Sequence, residues 1–182
     1  MGRLQAGVAK RVTLIEGNVL DPRSKRVDLT LAFNFSYCIF RERGVMLDYF
    51  RAAYEGLRRD GLFMLDLYGG PGAQQTMKET QEKEGFDYVW EQARFDPIQH
   101  GVVNHIHFEF DDGSYKKKAF TYEWRLWSIP EIRDLLLEAG FSEVEVYWEG
   151  TDKDTGEGNG IYHKRDHAVD DPAWVVYIVG VK

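Results

Sequence analysis

Asn34 and Ser36 close the apolar run from Asp28 to Phe35. Polar side chains at the carboxyl end of a buried strand sit where open α/β sheets place ligands, although simply ending the strand would also explain them. Trp90, Tyr122, Trp124 and Trp127 crowd into one part of the chain, where rings could cap a pocket and attract a cation through their faces; core packing accounts for such clusters equally well. On strand alternation Tyr122 and Trp124 share one face, and Glu123, Arg125 and Trp127 the other. Arg125 is thus a candidate to hold a carboxylate, with a salt bridge to Glu123 or Glu109 as the plainer alternative. Tyr68, just beyond a strand end, could line a binding site or only pack.

Other spacings carry less. His105, His107 and Glu109 alternate onto one strand face, and His163 and His167 lie four apart, but neither set has the further ligands that a metal site needs, so no metal is expected. Gly69-Gly70-Pro71-Gly72 has the context of a phosphate-cradling loop without its spacing or its Lys-Ser/Thr, so a turn is the better explanation. Gly156 to Gly160 lies in a loop with no helix to lend a dipole. Lys116 to Lys118 is a short basic run in an acidic chain.

These residues need elements to position them. Val12 to Glu16 and Asp28 to Phe35 are apolar, β-branched runs expected to be buried parallel strands. Val45, Tyr49, Ala53 and Leu57 recur every four residues between charged ones, predicting an amphipathic helix ended by Asp60-Gly61. Leu62 to Leu67 makes a further strand, and strand, helix and strand in succession imply a right-handed crossover in a parallel sheet. A polar stretch, Ala73 to Glu84, is expected to be helical. Phe86 to Phe95, Val102 to Phe110 and Tyr115 to Trp127 have period two, and Asp112-Gly113 favours a tight hairpin between the last two, so an antiparallel sheet is inserted into the parallel one. Ser128 with Glu131 forms a capping box and Gly140 suits a helix C-terminus, predicting a helix from Ile129 to Ala139. Val144 to Trp148 and Trp174 to Val181 are closing strands, with a loop from Gly150 to Asp171 between them.

The chain has 182 residues, enough for one domain with a real core. Lys and Arg number 23 against 30 Asp and Glu, a formal charge of −7 that repels phosphate backbones and argues against nucleic acid as a partner. Cys38 is the only cysteine, so no internal disulfide forms and a reducing, cytoplasmic setting is expected. No uncharged apolar run is long enough to span a bilayer, and no membrane association is expected.

The order strand, helix, strand, antiparallel insertion, capped helix ending in Ala139-Gly140-Phe141, strand, loop, strand resembles the second half of the Rossmann-like, class I methyltransferases that use S-adenosylmethionine. Val12 to Asp21 resembles that family's third strand and the turn whose acidic or amide residue meets the adenine amine, with Asn18 in that place. Asp28 to Tyr37 resembles the fourth strand and the segment beside the methyl donor, Leu65 to Gly70 the end of the fifth strand, and Trp127 to Phe141 the helix before the last two strands.

The resemblance implies an α/β fold for residues 1–182: an incomplete Rossmann-like methyltransferase sheet, mostly parallel, with an inserted antiparallel β lid at about 86–127. It implies S-adenosyl-L-methionine as cofactor, held near Asn18, Val19, Leu20, Phe33, Asn34 and Ser36. Tyr37, Tyr68, Trp90, Tyr122 and Arg125 would then surround a small-molecule acceptor, and no dedicated catalytic side chain is required, because the hard chemistry resides in the cofactor. The family begins with a strand, a glycine-rich turn and a helix, and only eleven residues precede Val12. The expectation is that an N-terminal segment completes the cofactor site. The alternatives are an inactive domain acting as a homodimer or as the partner of a separate N-terminal fragment, and a nucleotide-binding module built on Gly69 to Gly72.

Overall fold

The computed structural model describes residues 6–21 and 26–182. A short helix α1 (Ala6–Ala9) precedes β1 (Val27–Ala32), α2 (Arg43–Gly56) and β2 (Leu57–Gly69). Four strands follow: β3 (Met77–Lys83), β4 (Phe86–Asp96), β5 (Gly101–Phe110) and β6 (Tyr115–Arg125). The chain closes with α3 (Ile129–Ala139), β7 (Glu143–Thr151), β8 (Gly158–Lys164) and β9 (Trp174–Val181).

Two sheets result, one in the order β1-β2-β9-β7-β8 and one in the order β3-β4-β5-β6. In the first, β1 and β2 are parallel, while β2 with β9, β9 with β7 and β7 with β8 are antiparallel. The expected mostly parallel sheet is therefore mixed. Its logic survives, since β2 and β7 both oppose β9 and so run in the same direction as β1. Insertion of β9 between them turns would-be parallel neighbours into antiparallel ones.

Alternation along β1 and β2 sorts their side chains by face. Phe63, Leu65 and Leu67 are fully buried on one side, where α2 and α3 cover them: Phe50 and Tyr49 meet the Phe63 ring, and Phe141 stacks on it at 6.0 Å. On the other side Leu29 and Leu31 are each 50% exposed, and their neighbour Leu62 is 39% exposed. Helix α2 buries Met46, Leu47, Phe50 and Ala52, so its inward face is rotated from the predicted one, and Val45 is exposed. It also ends earlier than predicted, at Gly56. Asp60, at φ 60°, and Gly61 instead lie in a bulge of β2 between the residues paired with Val27 and Leu29. Helix α3 is as predicted: Ser128 and Glu131 form a reciprocal capping box, and Gly140 ends the helix at φ 113°.

Three predictions fail. Val12 to Glu16 forms no strand, and Leu14 and Ile15 are 74% and 64% exposed. A single apolar run cannot be a strand without a ladder partner for its N–H and C=O groups. Ala73 to Glu84 is not a helix: one 3₁₀ turn (Pro71–Gln74) leads into β3, which pairs with β4 from Met77 to Lys83. The expected loop from Gly150 to Asp171 contains β8, paired with β7. No helix among the described residues is long and apolar enough to cross a membrane.

Candidate active site

The chain turns sharply at the carboxyl end of β1. Asn34 and Phe35 have φ 59° and 52°, a left-handed conformation that costs about 1–2 kcal/mol per non-glycine residue. Asp66, on the adjacent strand β2, holds them there: its Oδ2 accepts from Asn34 N–H at 2.8 Å and its Oδ1 from Phe35 N–H at 3.0 Å. The Asp66 carbonyl accepts from the Tyr37 hydroxyl at 2.6 Å. Burial pushes the Asp66 carboxyl above the usual aspartate range, and the N–H groups of Phe35 and Asn34 only partly offset this. The clamp aims the Phe35 ring at Tyr68, 4.7 Å away, and at Trp124, 6.2 Å away, leaving Asn34 and Ser36 exposed on either side of it.

The second sheet supplies the opposite wall. Cross-strand pairing places Trp90 and Gln92 of β4, Asn104 and Ile106 of β5, and Tyr122 and Trp124 of β6 on its inner face. Tyr122 lies 4.5 Å from Trp124, and Trp90 lies 6.3 and 6.4 Å from these two rings. Between this face and the strand ends are two adjoining hollows of about 320 and 390 Å³. Both are lined by Tyr68, Glu79, Trp90, Gln92 and Val175; one adds Glu149 and Trp174, the other Phe35 and Tyr88. Among the described residues the cleft thus has aromatic walls, two carboxylates and no Lys, Arg or His. Glu79 accepts from the Gln81 amide, and Glu149 from Gly160 N–H and the Tyr162 hydroxyl. Among the described residues neither has a cationic partner. Gln92 ties the lid to the core through bonds to the Gly72 and Gln75 carbonyls.

The structure brings together Tyr68, Trp90 and Tyr122 of the residues predicted for the acceptor; at the β1 end Phe35 lines the cleft, whereas Phe33, which meets the Tyr177 ring, and Asn34 and Ser36 are not among its lining residues. Tyr37 is 1% exposed with its hydroxyl given to Asp66, so it belongs to the core rather than the cleft. Arg125 also points away: its guanidinium stacks 3.8 Å over the Trp127 ring and bonds Glu131 at 2.7 Å and the Arg41 carbonyl. Its partner is Glu131, which neither sequence alternative named. Asn18 accepts from Leu20 N–H in a local turn, Val19 is 59% exposed, and none of Asn18, Val19 and Leu20 is among the cleft-lining residues.

Gly69 to Gly72 form a turn, with amides already spent: Gly72 N–H bonds the Pro172 carbonyl, and Ala73 N–H bonds the Gly70 carbonyl. Gly69 packs so closely on Trp174 that a Cβ would lie 2.3 Å from its ring. A phosphate cradle is not available there. His105 and His107 lie on the outer face of the lid, where His107 Nδ1 accepts from Lys118 N–H and Nε2 donates to Glu91 at 2.8 Å. No group of three His, Cys, Asp or Glu suits a metal among the described residues.

Sequence reasoning passed over Asp66, Phe35, Glu79, Gln92, Asn104 and Glu149 as site residues. For Asp66 a signal existed, since it is the one polar residue between Leu62 and Leu67, and a buried polar group is the informative kind. For Glu79 there was none, because β3 is exposed along its whole length.

No family model matches the chain. A protein of Geobacillus sp. (strain WCH70), named only provisionally as a methyltransferase, is 26% identical over 113 residues, covering 59% of this chain and 45% of that protein. The CcbJ methyltransferase of Streptomyces caelestis superposes with a TM-score of 0.63 at 16% identity, over 91% of this chain and 62% of that one. The glycopeptide N-methyltransferase MtfA, complexed with S-adenosyl-L-homocysteine, gives 0.57 at 19% identity over 99% and 64%. The chain therefore spans less than half of the Geobacillus protein and under two thirds of each of these structures. It has the α/β fold of the class I methyltransferases.

Proposed function

We propose that this chain carries the acceptor side of an S-adenosylmethionine-dependent methyltransferase whose acceptor is a small amine-bearing molecule. The observation that carries the reading is the cleft. In a methyltransferase fold, at the carboxyl ends of β1 and β2, aromatic rings and two carboxylates without a cationic partner among the described residues line a space that no described basic side chain enters.

The residues fit the cofactor's chemistry. Its sulfonium is a cation, which ring faces attract and which no neighbouring Lys or Arg repels. Asn34 and Ser36, presented by the clamped turn, would hold it. When bound, the cofactor supplies an electrophilic methyl group. The chain's own residues position the acceptor and exclude water, which is where catalysis of an in-line displacement originates. Tyr68 and Trp90 wall the acceptor space, Tyr122 backs Trp90, and Glu79 and Glu149 favour an ammonium group over a carboxylate. The amine reading agrees with the N-methyltransferase activity named for MtfA.

Calorimetric titration with S-adenosylhomocysteine tests the proposal. Micromolar binding is expected, with a matching rise in thermal stability, because a ligand held only by the folded state stabilises it. Asn34→Ala with Ser36→Ala should weaken that binding about tenfold, equivalent to ~1.4 kcal/mol. S-adenosylhomocysteine binding that is equally tight with both side chains removed would sink the assignment of Asn34 and Ser36, and a folded chain that takes up none would leave the cofactor site to the N-terminal segment expected to complete it.

A further inference from the structure

A further hollow of about 270 Å³ shares Gly69 and Trp174 with the cleft, and its remaining walls come from Gly70, Gln74, His100 and residues 126–130. Leu126, Trp127, Ile129, Pro130 and Trp174 make it apolar, and among the described residues no Lys, Arg, Asp or Glu lines it.

His100 is the exception on these walls, and it is held in one orientation. Its Nδ1 lies 2.9 Å from the Leu126 carbonyl. A carbonyl only accepts, so in the neutral ring Nδ1 carries the proton and Nε2 keeps a lone pair. The His100 carbonyl in turn accepts from Leu126 N–H at 2.8 Å, and the Phe95 ring stands edge-on to the imidazole at 5.4 Å. The residue takes φ 51°, a backbone conformation that glycine or asparagine adopts at less cost. Nε2 has no hydrogen-bond partner among the described residues. Other polar groups around the hollow are committed: the Ser128 hydroxyl is exchanged with Glu131 in the helix cap, and the Trp127 indole N–H donates to the Phe40 carbonyl. What is left is one fixed acceptor, with the exposed Gln74 amide nearby.

These walls select a ligand. An apolar cavity of roughly 150 Å³ holds a benzene ring, so 270 Å³ has room for a single substituted ring. With no ionic partner on the walls, a charged ligand would lose its hydration uncompensated. A lone imidazole acceptor favours a ligand that donates one hydrogen bond.

We infer that this hollow is a binding site for a small uncharged aromatic molecule of the phenol class, whose hydroxyl donates to His100 Nε2. The site goes beyond the proposed methyl transfer, which makes no use of His100.

The test titrates phenol and toluene, rings of nearly equal size of which only phenol donates, into the chain carrying isotopically labelled histidine, followed by NMR. Wild type should take phenol about fivefold more tightly than toluene, the worth of one added hydrogen bond. Phenol, and not toluene, should move the Nε2 resonance of the ring that shows a nuclear Overhauser effect to Phe95. In His100→Asn, which suits the left-handed backbone but is too short to place an acceptor at the same point, the two rings should bind alike, with the affinity for toluene unchanged. A histidine that served only to join the strands would lower the melting temperature in this variant and leave the preference for phenol in place. The inference is overturned by that result, by wild type binding neither ring or both alike, or by phenol leaving the His100 Nε2 resonance where it was. The wild-type resonance decides even where the variant fails to fold. None of these readouts involves S-adenosylhomocysteine, so this site and the cofactor assignment fail separately.

Discussion

The clamp of Asp66 on the turn after β1 gives a sharp perturbation, Asp66→Asn. The carboxylate offers one oxygen to Asn34 N–H and the other to Phe35 N–H. The amide keeps one of these acceptors and turns an NH₂ toward the second donor. Losing a hydrogen bond to a charged acceptor costs about 1.5–3 kcal/mol, and relief of the buried charge returns part of it. Two left-handed residues released from their clamp shed some strain as well, so the net loss should be about 2 kcal/mol. For a chain of this size that lowers the melting temperature by roughly 4–8 °C. Urea and thermal unfolding followed by circular dichroism measure it, with an unchanged m-value showing that stability and not compactness has altered.

The pH dependence gives a second reading of the same variant. The folded-state pKa of Asp66 is raised, chiefly by burial, so the native state holds the proton more tightly than the unfolded chain does. That contribution is complete below the ordinary aspartate value of about 3.9 and is lost as pH rises through the raised value. The margin of wild type over Asp66→Asn should therefore be wider at pH 4 than at pH 7. A variant that melts within about 1 °C of wild type would show that the carboxylate does not hold the turn in this way, whereas a margin that widens with rising pH would show that the two N–H bonds outweigh burial at Asp66.

Two further outcomes follow from buried groups. Cys38 is 1% exposed, and burial, with the Asp66 charge adding to it, pushes its thiol well above the ordinary range; iodoacetamide at pH 8 should label it only in unfolded protein, and rapid labelling of the native chain would contradict that burial. Removing the Ser128 side chain, which accepts from Glu131 N–H at the start of α3, should cost about 1 kcal/mol in urea unfolding, and an unchanged midpoint would show that Glu131 alone caps the helix.

What the sequence disclosed depended on whether the deciding interaction was local. Helix α3 was legible in full because the Ser128 and Glu131 box, the 3.6-residue period and Gly140 all lie within thirteen residues and agree. The hairpin of β5 and β6 was legible for the same reason. Strand β3 was not, because Met77 to Lys83 is polar on both faces and exposed throughout, so its only reason to be extended is the ladder with β4. Val12 to Glu16 shows the converse: five residues with strong strand preference find no ladder, and propensity without a partner fixes nothing.

The site divides along the same line. Tyr68, Trp90 and Tyr122 stood out by residue type, and the fold brings their rings to one cleft. Tyr37, an aromatic residue, and Arg125, a cation able to hold a carboxylate, stood out as well and pack elsewhere, because the left-handed turn at Asn34 and Phe35 leaves Tyr37 bonded to Asp66 and strand alternation puts Arg125 on the outer face. Asp66 and Asn104 could be identified only from what surrounds them. A lone Asp between Leu65 and Leu67, or a lone Asn after Val102 and Val103, must either find partners in the fold or wait for them. Asp66 has found two backbone amides and so shapes the turn, and Asn104 has come to lie buried beside the Tyr68 phenol.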